Sequence, residues 1–462
     1  MSLLLYALVG CQMPSARPAA CGSFPVTRTG RFTSQVIVDT TVAAATRPGR
    51  AAYVLATEPA AYARAWIDGL CEKRIGLTIH GPPGPINPSR SPLDAAALEA
   101  ESERISGESA VPGDMRLMLD GIDALTALDR VIDRATRRID VLMYLWGDDE
   151  IGWHVARKLS SRAGPNLRIR VCVDGGGNLT QGEPRSASAN EVNRAVCWLA
   201  RQPYVELLRT RNPAARLDHR KLVVVDGQVA WNGGRNFVAS AFRTDHDLSY
   251  TVSGVLAARM ATVFEEFWQR EGGVAGEPLP PPMPPLEPNL VARIVRTRPT
   301  HHHLSEQIYL AVKRASHHVY VENPYFSDNH LIAELAAARR RGADVRVVLT
   351  LHSGSDLYDH ANRAVANRLL RAGIRVYLHP SVTHVKAMAI DGVWAYAGTG
   401  NFDNLSLRHN RELGLAIVGG PVLDTIEREL FQPDFCPEWE LTVPLPLTAT
   451  DYWAEVAASA VS

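Results

Sequence analysis

The chain has 462 residues, of which 46% are hydrophobic and 21% are charged, and its formal net charge is +0. This mixture is ordinary for a soluble globular protein, and the length suggests about three domains of ~150 residues each. A neutral chain sets up no overall field toward nucleic acid or an anionic bilayer. That weakens a nuclease interpretation without excluding it, because a basic cleft can lie on a neutral body. Five of the 49 basic residues are lysines, so each lysine is informative.

Residues 1–112 give little indication of chemistry. Within them, Leu8-Val9-Gly10-Cys11 resembles a bacterial lipobox, whose cysteine becomes the lipidated first residue of the mature protein. No Lys or Arg precedes this short stretch, unlike a signal peptide, so a plain hydrophobic N-terminus or a misplaced start codon explains it equally well. We predict a leader and a partly irregular extension here. No transmembrane helix is predicted, since no run elsewhere has 18 consecutive apolar residues.

The next region, residues 113–275, alternates between helical and strand patterns. An amphipathic segment at 124–137 leads into a buried-strand pattern at 139–146, and a helical segment at 151–161 leads into another strand at 167–173. Strands that alternate with helices are typical of a parallel sheet covered by helices. We therefore predict a first α/β domain with a largely parallel sheet.

A proline-rich linker at 276–290 separates this region from one that repeats its order of elements. Such a run of prolines favours an extended and stiff backbone. After it, the patterns for helix, strand, helix and strand return at 304–315, 319–322, 329–340 and 345–349. We predict that residues 291–462 form a second domain, which arose by duplication of the first.

Both halves carry the same polar motif, His-x-Lys-x4-Asp. The first copy has His219, Lys221 and Asp226, and the second has His384, Lys386 and Asp391, all at one constant offset. The same offset relates Asn236 to Asn401 and Asp247 to Glu412. His and Lys are so scarce in this chain that a chance double match is improbable.

The motif has a clear expected geometry. Residues two apart in a strand project from the same face, so each His is predicted to lie beside its Lys. The Asp-Gly pairs at 226–227 and 391–392 predict hairpin turns, whose returning strands bring Asn236 and Asn401 to the same end. Asp226 and Asp391 are therefore interpreted as turn-forming or charge-pairing residues rather than catalytic ones.

Two further carboxylates lie at matching positions. A reactive histidine needs an acceptor at its second ring nitrogen, which fixes its tautomer and orientation. Asp247 and Glu412 follow the histidine of their own half at the same spacing, and each stands at the start of an apolar strand. We predict that these carboxylates orient the two imidazoles.

These residues resemble the paired HKD motifs of the phospholipase D superfamily over residues 115–440. The chain is most similar there to bacterial cardiolipin synthases, in the segments 233–236, 321–326, 398–403, 405–408 and 410–412. Thr399 departs from the serine that is usual in the family, but it keeps the hydroxyl. The resemblance implies two α/β/α sandwich domains related by a pseudo-twofold axis, with the active site at their interface.

The resemblance also implies a mechanism that the chemistry of these groups supports. One neutral histidine attacks the phosphorus of a phosphodiester and forms a phosphohistidine, while the other, protonated, gives its proton to the departing alcohol. Lys221, Lys386, Asn236 and Asn401 would hold the non-bridging oxygens. By analogy with the family alone, His219 is the nucleophile and His384 the acid. No metal ion or other cofactor is expected.

The expected function is phosphatidyl transfer between phospholipids at a bacterial membrane surface, with Cys11 as a candidate lipid anchor facing the periplasm. The main alternative is hydrolysis, as in a phospholipase D or another phosphodiesterase, because both reactions share the intermediate and differ only in whether water or an alcohol resolves it. A nuclease is less favoured, since nucleases of this family are often short single-motif chains, and no nucleic-acid partner is expected. A binding-only lipoprotein is the non-enzyme alternative, which two complete motifs disfavour.

Overall fold

The protein is described by a computed structural model that covers residues 17–18, 85–87, 91–174, 193–210, 217–285, 287–298 and 301–461. Cys11, the predicted lipid attachment site, lies outside these residues. Among the helices in these ranges, none is both long and apolar enough to cross a bilayer.

The strands of the described residues form two mixed sheets, one for each half of the chain. The first sheet has the strand order β1-β6-β5-β4-β7-β8-β9-β3, with the bounds β1 Arg17–Pro18, β3 Met115–Met118, β4 Arg138–Met143, β5 Arg168–Val173, β6 Val205–Arg209, β7 Lys221–Val225, β8 Val229–Gly233 and β9 Ser249–Ser253. The second has the order β11-β10-β17-β16-β15-β12-β13-β14, and β2 also pairs with β10. Its strands are β2 Val111–Gly113, β10 Leu290–Arg298, β11 His301–His302, β12 His318–Glu322, β13 Asp344–Leu349, β14 Arg375–Leu378, β15 Ala387–Ile390, β16 Trp394–Gly398 and β17 Glu412–Gly419.

Helices pack against both sheets. The α-helices are α1 Ala95–Ser106, α2 Gly121–Asp133, α3 Glu150–Arg162, α4 Arg194–Leu199, α5 Ala239–Arg243, α6 Val255–Arg270, α7 His303–Arg314, α8 Asn329–Arg340, α9 Asp356–Arg371, α10 Val422–Thr425, α11 Gln432–Asp434 and α12 Ala449–Val461. Among them, α6 and α10 contribute to the apolar cluster that lies between the sheets. Short π-helical segments at Leu405–His409 and Ile426–Phe431 and a 3-10 turn at Pro437–Trp439 complete the set.

Local signals explain where these elements begin. Helix α3, predicted at 151–161, starts after Asp149, whose carboxylate accepts hydrogen bonds from the Ile151 and Gly152 amides and so satisfies two free N–H groups of the first turn. The strand predicted at 167–173 is β5, whose last five residues are buried. Its run of buried residues fits a strand that is covered on both faces.

The prediction of a largely parallel sheet was wrong. Only the pairs within β4-β5-β6 and β12-β13-β14 are parallel, and the other strand pairs of the two sheets are antiparallel. The Asp-Gly turns connect β7 to β8 and β15 to β16 directly, without a crossover helix, so these neighbouring strands run antiparallel. Asp226 and Asp391 have φ of 52° and 55°, and the glycines that follow them also have positive φ, as in type I′ turns.

The turn aspartates also tie each hairpin to the neighbouring strand. The Asp226 carboxylate accepts hydrogen bonds from the backbone amides of Thr136, Arg137 and Arg138 at 2.7–3.0 Å. The Asp391 carboxylate does the same for the Ser316, His317 and His318 amides. Both aspartates therefore serve the fold at the ends of β7 and β15.

The apolar core has three layers. One cluster lies between the first sheet and helices α2 to α4, and a second lies between the second sheet and helices α7 to α9. The third cluster joins the halves, because it contains Leu222 and Tyr250 of the first sheet together with Ala387 and Leu413 of the second. This shared layer holds the two sheets in a fixed relation.

Residues 91–113, at the end of the N-terminal extension, pack on the second half of the chain. Strand β2 pairs with β10, and Leu93 and Leu98 join the core beneath α7. Between the end of α6 and the start of β10, the described residues of the proline-rich segment form no helix or strand. The backbone carbonyl of Glu277 in this segment accepts a hydrogen bond from the Arg138 guanidinium.

Candidate active site

The two histidines lie just before strands rather than within them. Strand β7 begins at Lys221 and β15 begins at Ala387, so His219 and His384 occupy the segments that lead into them. The prediction that each His and its Lys project side by side from one face of a strand is therefore only partly correct. Each Lys turns back instead, and its Nζ donates to the carbonyl oxygen of its own histidine at 2.6 Å.

These leading segments pair across the two halves. The His219 amide donates to the Arg411 carbonyl at 3.0 Å, and the His384 amide donates to the His246 carbonyl at 2.7 Å. Arg411 and His246 themselves occupy matching positions of the two halves, at the same offset as the two motifs. The backbone contacts therefore repeat about the pseudo-twofold axis and bring both motifs to the interface.

The orienting carboxylates are exchanged between the halves. Nδ1 of His219 lies 3.0 Å from Oε1 of Glu412, which belongs to the second half. Nδ1 of His384 lies 2.8 Å from Oδ2 of Asp247, which belongs to the first. Each imidazole is thus oriented by a carboxylate from the other half, and its Nε2 is the nitrogen left for chemistry.

Two buried ammonium groups dominate the electrostatics of the site. Lys221 and Lys386 are 0% and 1% exposed, and burial lowers the pKa of Lys221 well below 10.5 and that of Lys386 to about 8. Burial together with both ammonium groups holds the pKa of His219 well below 6.5. Burial and Lys386 lower the pKa of His384 to about 4, and Lys221 contributes. The four groups therefore share one electrostatic field.

The two asparagines follow strands β8 and β16. Asn236 is buried, and its Oδ1 accepts a hydrogen bond from the Leu145 amide at 3.2 Å. Asn401 is also buried, and within the described residues its Oδ1 has no hydrogen-bond partner. A buried amide oxygen without a partner is costly, so this side chain is a candidate for contact with a bound molecule.

The surroundings of the two carboxylates differ. Gly234 lies against Asp247, and a Cβ at this glycine would be 2.1 Å from Oδ1. The residue at the matching position of the second half is Thr399, whose hydroxyl donates to Oε2 of Glu412 at 2.5 Å. The hydroxyl that Thr399 shares with the serine usual in the family therefore has a specific partner, the Glu412 carboxylate.

The charge states of the two carboxylates also differ. Burial opposes ionisation of Asp247, but His384, Lys386 and Arg235 together bring its pKa below 3.8. Arg235 is 0% exposed, and its counterpart in the second half is Gly400. Burial raises the pKa of Glu412 to about 8, because Lys221 and Thr399 offset the desolvation only partly.

The sequence did not single out two other residues at the site. The Tyr144 ring packs edge-on against His219 at 4.6 Å between centroids, and Nζ of Lys221 lies 4.9 Å from the same ring. Asp403 is buried, and burial raises the pKa of its carboxyl to about 7. The only available signals were that Tyr144 lies in the buried-strand pattern at 139–146 and that Asp403 follows Asn401 by two residues.

Comparisons with known proteins identify the family and the fold of this chain. The family described as "Cardiolipin synthase, PLD-like domain" matches residues 128–268 and 308–432. Cardiolipin synthase A of Salmonella paratyphi A and that of Shigella flexneri are each 28% identical over 342 residues, which is 70% of this chain and 70% of theirs. The crystal structure of phosphatidylserine synthase from Haemophilus influenzae Rd KW20 superposes with a TM-score of 0.59 at 15% identity, covering 75% of this chain and 92% of that one. The predicted fold class is confirmed.

Proposed function

The chain belongs to the cardiolipin synthase family with phospholipase D-like domains and is a phospholipase D-type enzyme, and we propose that it transfers a phosphatidyl group from one phospholipid to the alcohol of another. The observation that carries this proposal is the pair of imidazoles, each fixed at Nδ1 by a carboxylate of the opposite half. Two such dyads beside two buried ammonium groups suit an anionic phosphodiester.

The first step forms a covalent intermediate. Nε2 of neutral His219 attacks the phosphorus, a nitrogen–phosphorus bond forms, and the bond from phosphorus to the leaving alcohol breaks. Protonated His384 gives its proton to that alcohol. Lys221, Lys386, Asn236 and Asn401 would hold the non-bridging oxygens while their charge increases.

The second step reverses these roles. The acceptor alcohol loses its proton to neutral His384, its oxygen attacks the phosphorus, and the nitrogen–phosphorus bond breaks. His219 is then neutral and His384 protonated, as at the start. Water in place of the alcohol would give hydrolysis by the same route, which is the main alternative.

The charge states of the carboxylates support this assignment of roles. Asp247 has a lowered pKa, so it is ionised and favours an imidazolium at His384, although burial and the two lysines hold the pKa of that ring at about 4 in the free site. Glu412 has a pKa of about 8 and is largely protonated at neutral pH, which favours a neutral His219. A bound phosphodiester anion would offset the two ammonium charges and raise the pKa of His384.

The proposed substrates are phospholipids at a membrane surface. A lipid anchor at Cys11 would hold the chain there, and it remains a prediction from the sequence. The domain boundaries at 113–275 and 291–462 are likewise proposed. They place one dyad histidine in each unit.

Lipid turnover tests the proposal directly. Purified full-length protein is incubated with phosphatidylglycerol vesicles, with and without phosphatidylethanolamine, and the products are read by mass spectrometry. We expect cardiolipin, with release of glycerol or ethanolamine. Phosphatidic acid alone would favour hydrolysis, and cleavage of DNA without lipid turnover would favour the nuclease.

Matched variants connect turnover to the site. His219→Ala and His384→Ala should each abolish cardiolipin formation. His154→Ala is the control, because His154 is an exposed residue of α3 that pairs with Asp129 at the surface. Normal turnover in either of the first two variants would contradict a shared catalytic centre.

A further inference from the structure

A cluster of side chains that commonly bind metal ions lies beside the proposed active site. It consists of His246 from the first half and His379 and Asp434 from the second, whose ligand atoms all lie within 4.8 Å of one another. In the part of the chain that the structure describes, no other group of His, Cys, Asp and Glu side chains meets this condition. The cluster was not apparent from the sequence, where no metal was expected, because its residues follow no spacing motif.

We propose that this cluster binds one divalent transition-metal ion, best matched by Zn²⁺, which bridges the two halves of the chain. This inference goes beyond the proposed lipid chemistry, and no step of that chemistry passes through the ion. Two imidazoles and a carboxylate are a ligand set that zinc accepts in proteins.

The donor atoms are close to a coordination geometry. Nε2 of His246 lies 2.9 Å from Oδ2 of Asp434, and Nε2 of His379 lies 3.9 Å from Oδ1 of the same carboxylate. Bonds of about 2.0–2.1 Å in a tetrahedral site place neighbouring donors about 3.3 Å apart. The two imidazole rings stack at 4.8 Å between centroids, so shifts of about 1 Å per donor together with rotation of one ring would surround an ion.

The orientation of His379 fits a metal ligand. Its Nδ1 lies 3.1 Å from the carbonyl oxygen and 3.2 Å from the amide nitrogen of Ser381; with the proton on Nδ1, the ring would donate a hydrogen bond to that carbonyl. That bond would fix the tautomer and leave the lone pair of Nε2 facing Asp434. Metal-binding histidines commonly hold their second nitrogen in this way.

A fourth ligand is available. Glu322 is 0% exposed, and its Oε1 lies 3.6 Å from Nε2 of His246. Its carboxyl accepts a hydrogen bond from the Thr383 hydroxyl and contacts the Asp434 carboxyl, so Glu322 lies within reach of an ion at the cluster.

The symmetry-related place in the molecule is built differently. The residue that matches His246 in the second half is Arg411, which lies near the ion pair of Arg220 with Asp218 and over the Phe267 ring. Guanidinium groups supply permanent positive charge there. Imidazoles replace them on the other side, where His246 lies between the Glu322 and Asp434 carboxylates, whose charge a bound metal ion would also neutralise.

The site has both access and a link to the dyad. His246 and His379 line an open cavity of about 880 Å³, through which an ion can enter. The His246 carbonyl accepts the hydrogen bond of the His384 amide, and the residue after His246 is Asp247. The ion would therefore fix the segment that orients His384.

Metal binding to the purified full-length protein tests the proposal without any lipid. The protein is stripped with a chelator, dialysed, and titrated with Zn²⁺ and, separately, with Co²⁺. We expect one ion per chain by elemental analysis, visible d–d bands of tetrahedral Co²⁺, and a rise of the melting temperature by several degrees, because an ion that binds only the folded state stabilises it.

Variants locate the ion. His379→Ala and Asp434→Asn should lose the ion and the rise in melting temperature, whereas His154→Ala and His219→Ala should keep both. If His219→Ala keeps the ion, the ion is not bound at the proposed active site. Because the Co²⁺ spectrum is measured on the unaltered chain, the test survives if a variant fails to fold.

Two results would overturn the proposal. One is an unaltered chain that takes up no zinc at micromolar concentrations, since structural sites bind far more tightly. The other is zinc that remains in both His379→Ala and Asp434→Asn. Neither result depends on lipid turnover, so failure of this site and failure of the proposed function are distinguishable.

Discussion

The two halves of the molecule place the same groups around the interface but surround them differently. Around His384, the Asp247 carboxylate packs against Gly234 and lies in the field of buried Arg235. Around His219, the longer Glu412 is held by the Thr399 hydroxyl, and no arginine occupies the position that matches Arg235. Duplication thus kept the reactive side chains and changed the charge of their partners.

This difference suggests how a symmetric pair acquires unequal roles. An ionised carboxylate favours a protonated imidazole beside it, whereas a protonated carboxyl group favours a neutral imidazole. One dyad is therefore suited to proton transfer and the other to nucleophilic attack. The experiments below test this comparison in order of expected effect.

The largest effect should come from removing each histidine in turn. With phosphatidyl-p-nitrophenol, whose leaving group needs no proton, His384→Ala should still release one equivalent of nitrophenolate in a burst. His219→Ala should give no burst and lose about a thousandfold or more in rate, because the nucleophile is absent. Stopped-flow absorbance measures both. A burst in His219→Ala and none in His384→Ala would make His384 the nucleophile and His219 the acid.

The carboxylates should differ by a smaller factor. Asp247→Asn removes a charge that is present at neutral pH, so kcat/KM should fall about a hundredfold or more, as expected when an orienting carboxylate is lost. Glu412→Gln replaces a group that is largely protonated at pH 7, and the loss should be about tenfold. Steady-state kinetics at pH 7 measure both. Equal losses would remove the proposed asymmetry.

The pH dependence should identify Lys386. Its ammonium is protonated below its pKa of about 8 and neutral above it. As the pH rises through this value, kcat/KM should fall by about tenfold for each further unit. Lys386→Arg should remove this decline, since a guanidinium stays protonated. Because Glu412 also has a pKa of about 8, Glu412→Gln is the control and should keep the decline.

The smallest effect concerns the Thr399 hydroxyl. Thr399→Ser keeps the donor to Glu412, so kcat/KM should change by less than about threefold. Thr399→Val removes the donor at similar volume and should cost about tenfold. Circular dichroism serves as the folding control. If the valine and serine variants are equally active, the hydrogen bond does not position Glu412.

The local parts of this fold could be predicted from the sequence. The helix predicted at 151–161 spans Glu150–Arg162 in the structure, and the strand predicted at 167–173 spans Arg168–Val173. The constant offset between the two halves showed the duplication and both copies of the motif. These features depend on neighbouring residues, which periodicity and turn residues report.

Contacts between distant residues could not be predicted. The equal spacing within each half identified both carboxylates but not the histidine that each one orients, which is set by backbone pairing across the interface. The buried charge of Arg235 and the meeting of His246 with Asp434, 188 residues apart, also depend on how the two sheets pack. A single sequence contains no local signal for either.

The exchange of carboxylates makes the two copies mutually dependent. Neither copy alone contains an oriented imidazole, so a single-copy ancestor with this architecture would have needed to associate with its own twin to function. Such a twin carries identical residues on both sides of the axis. Joining the copies in one gene removed that constraint, and each side became free to evolve its own partner for the opposite histidine.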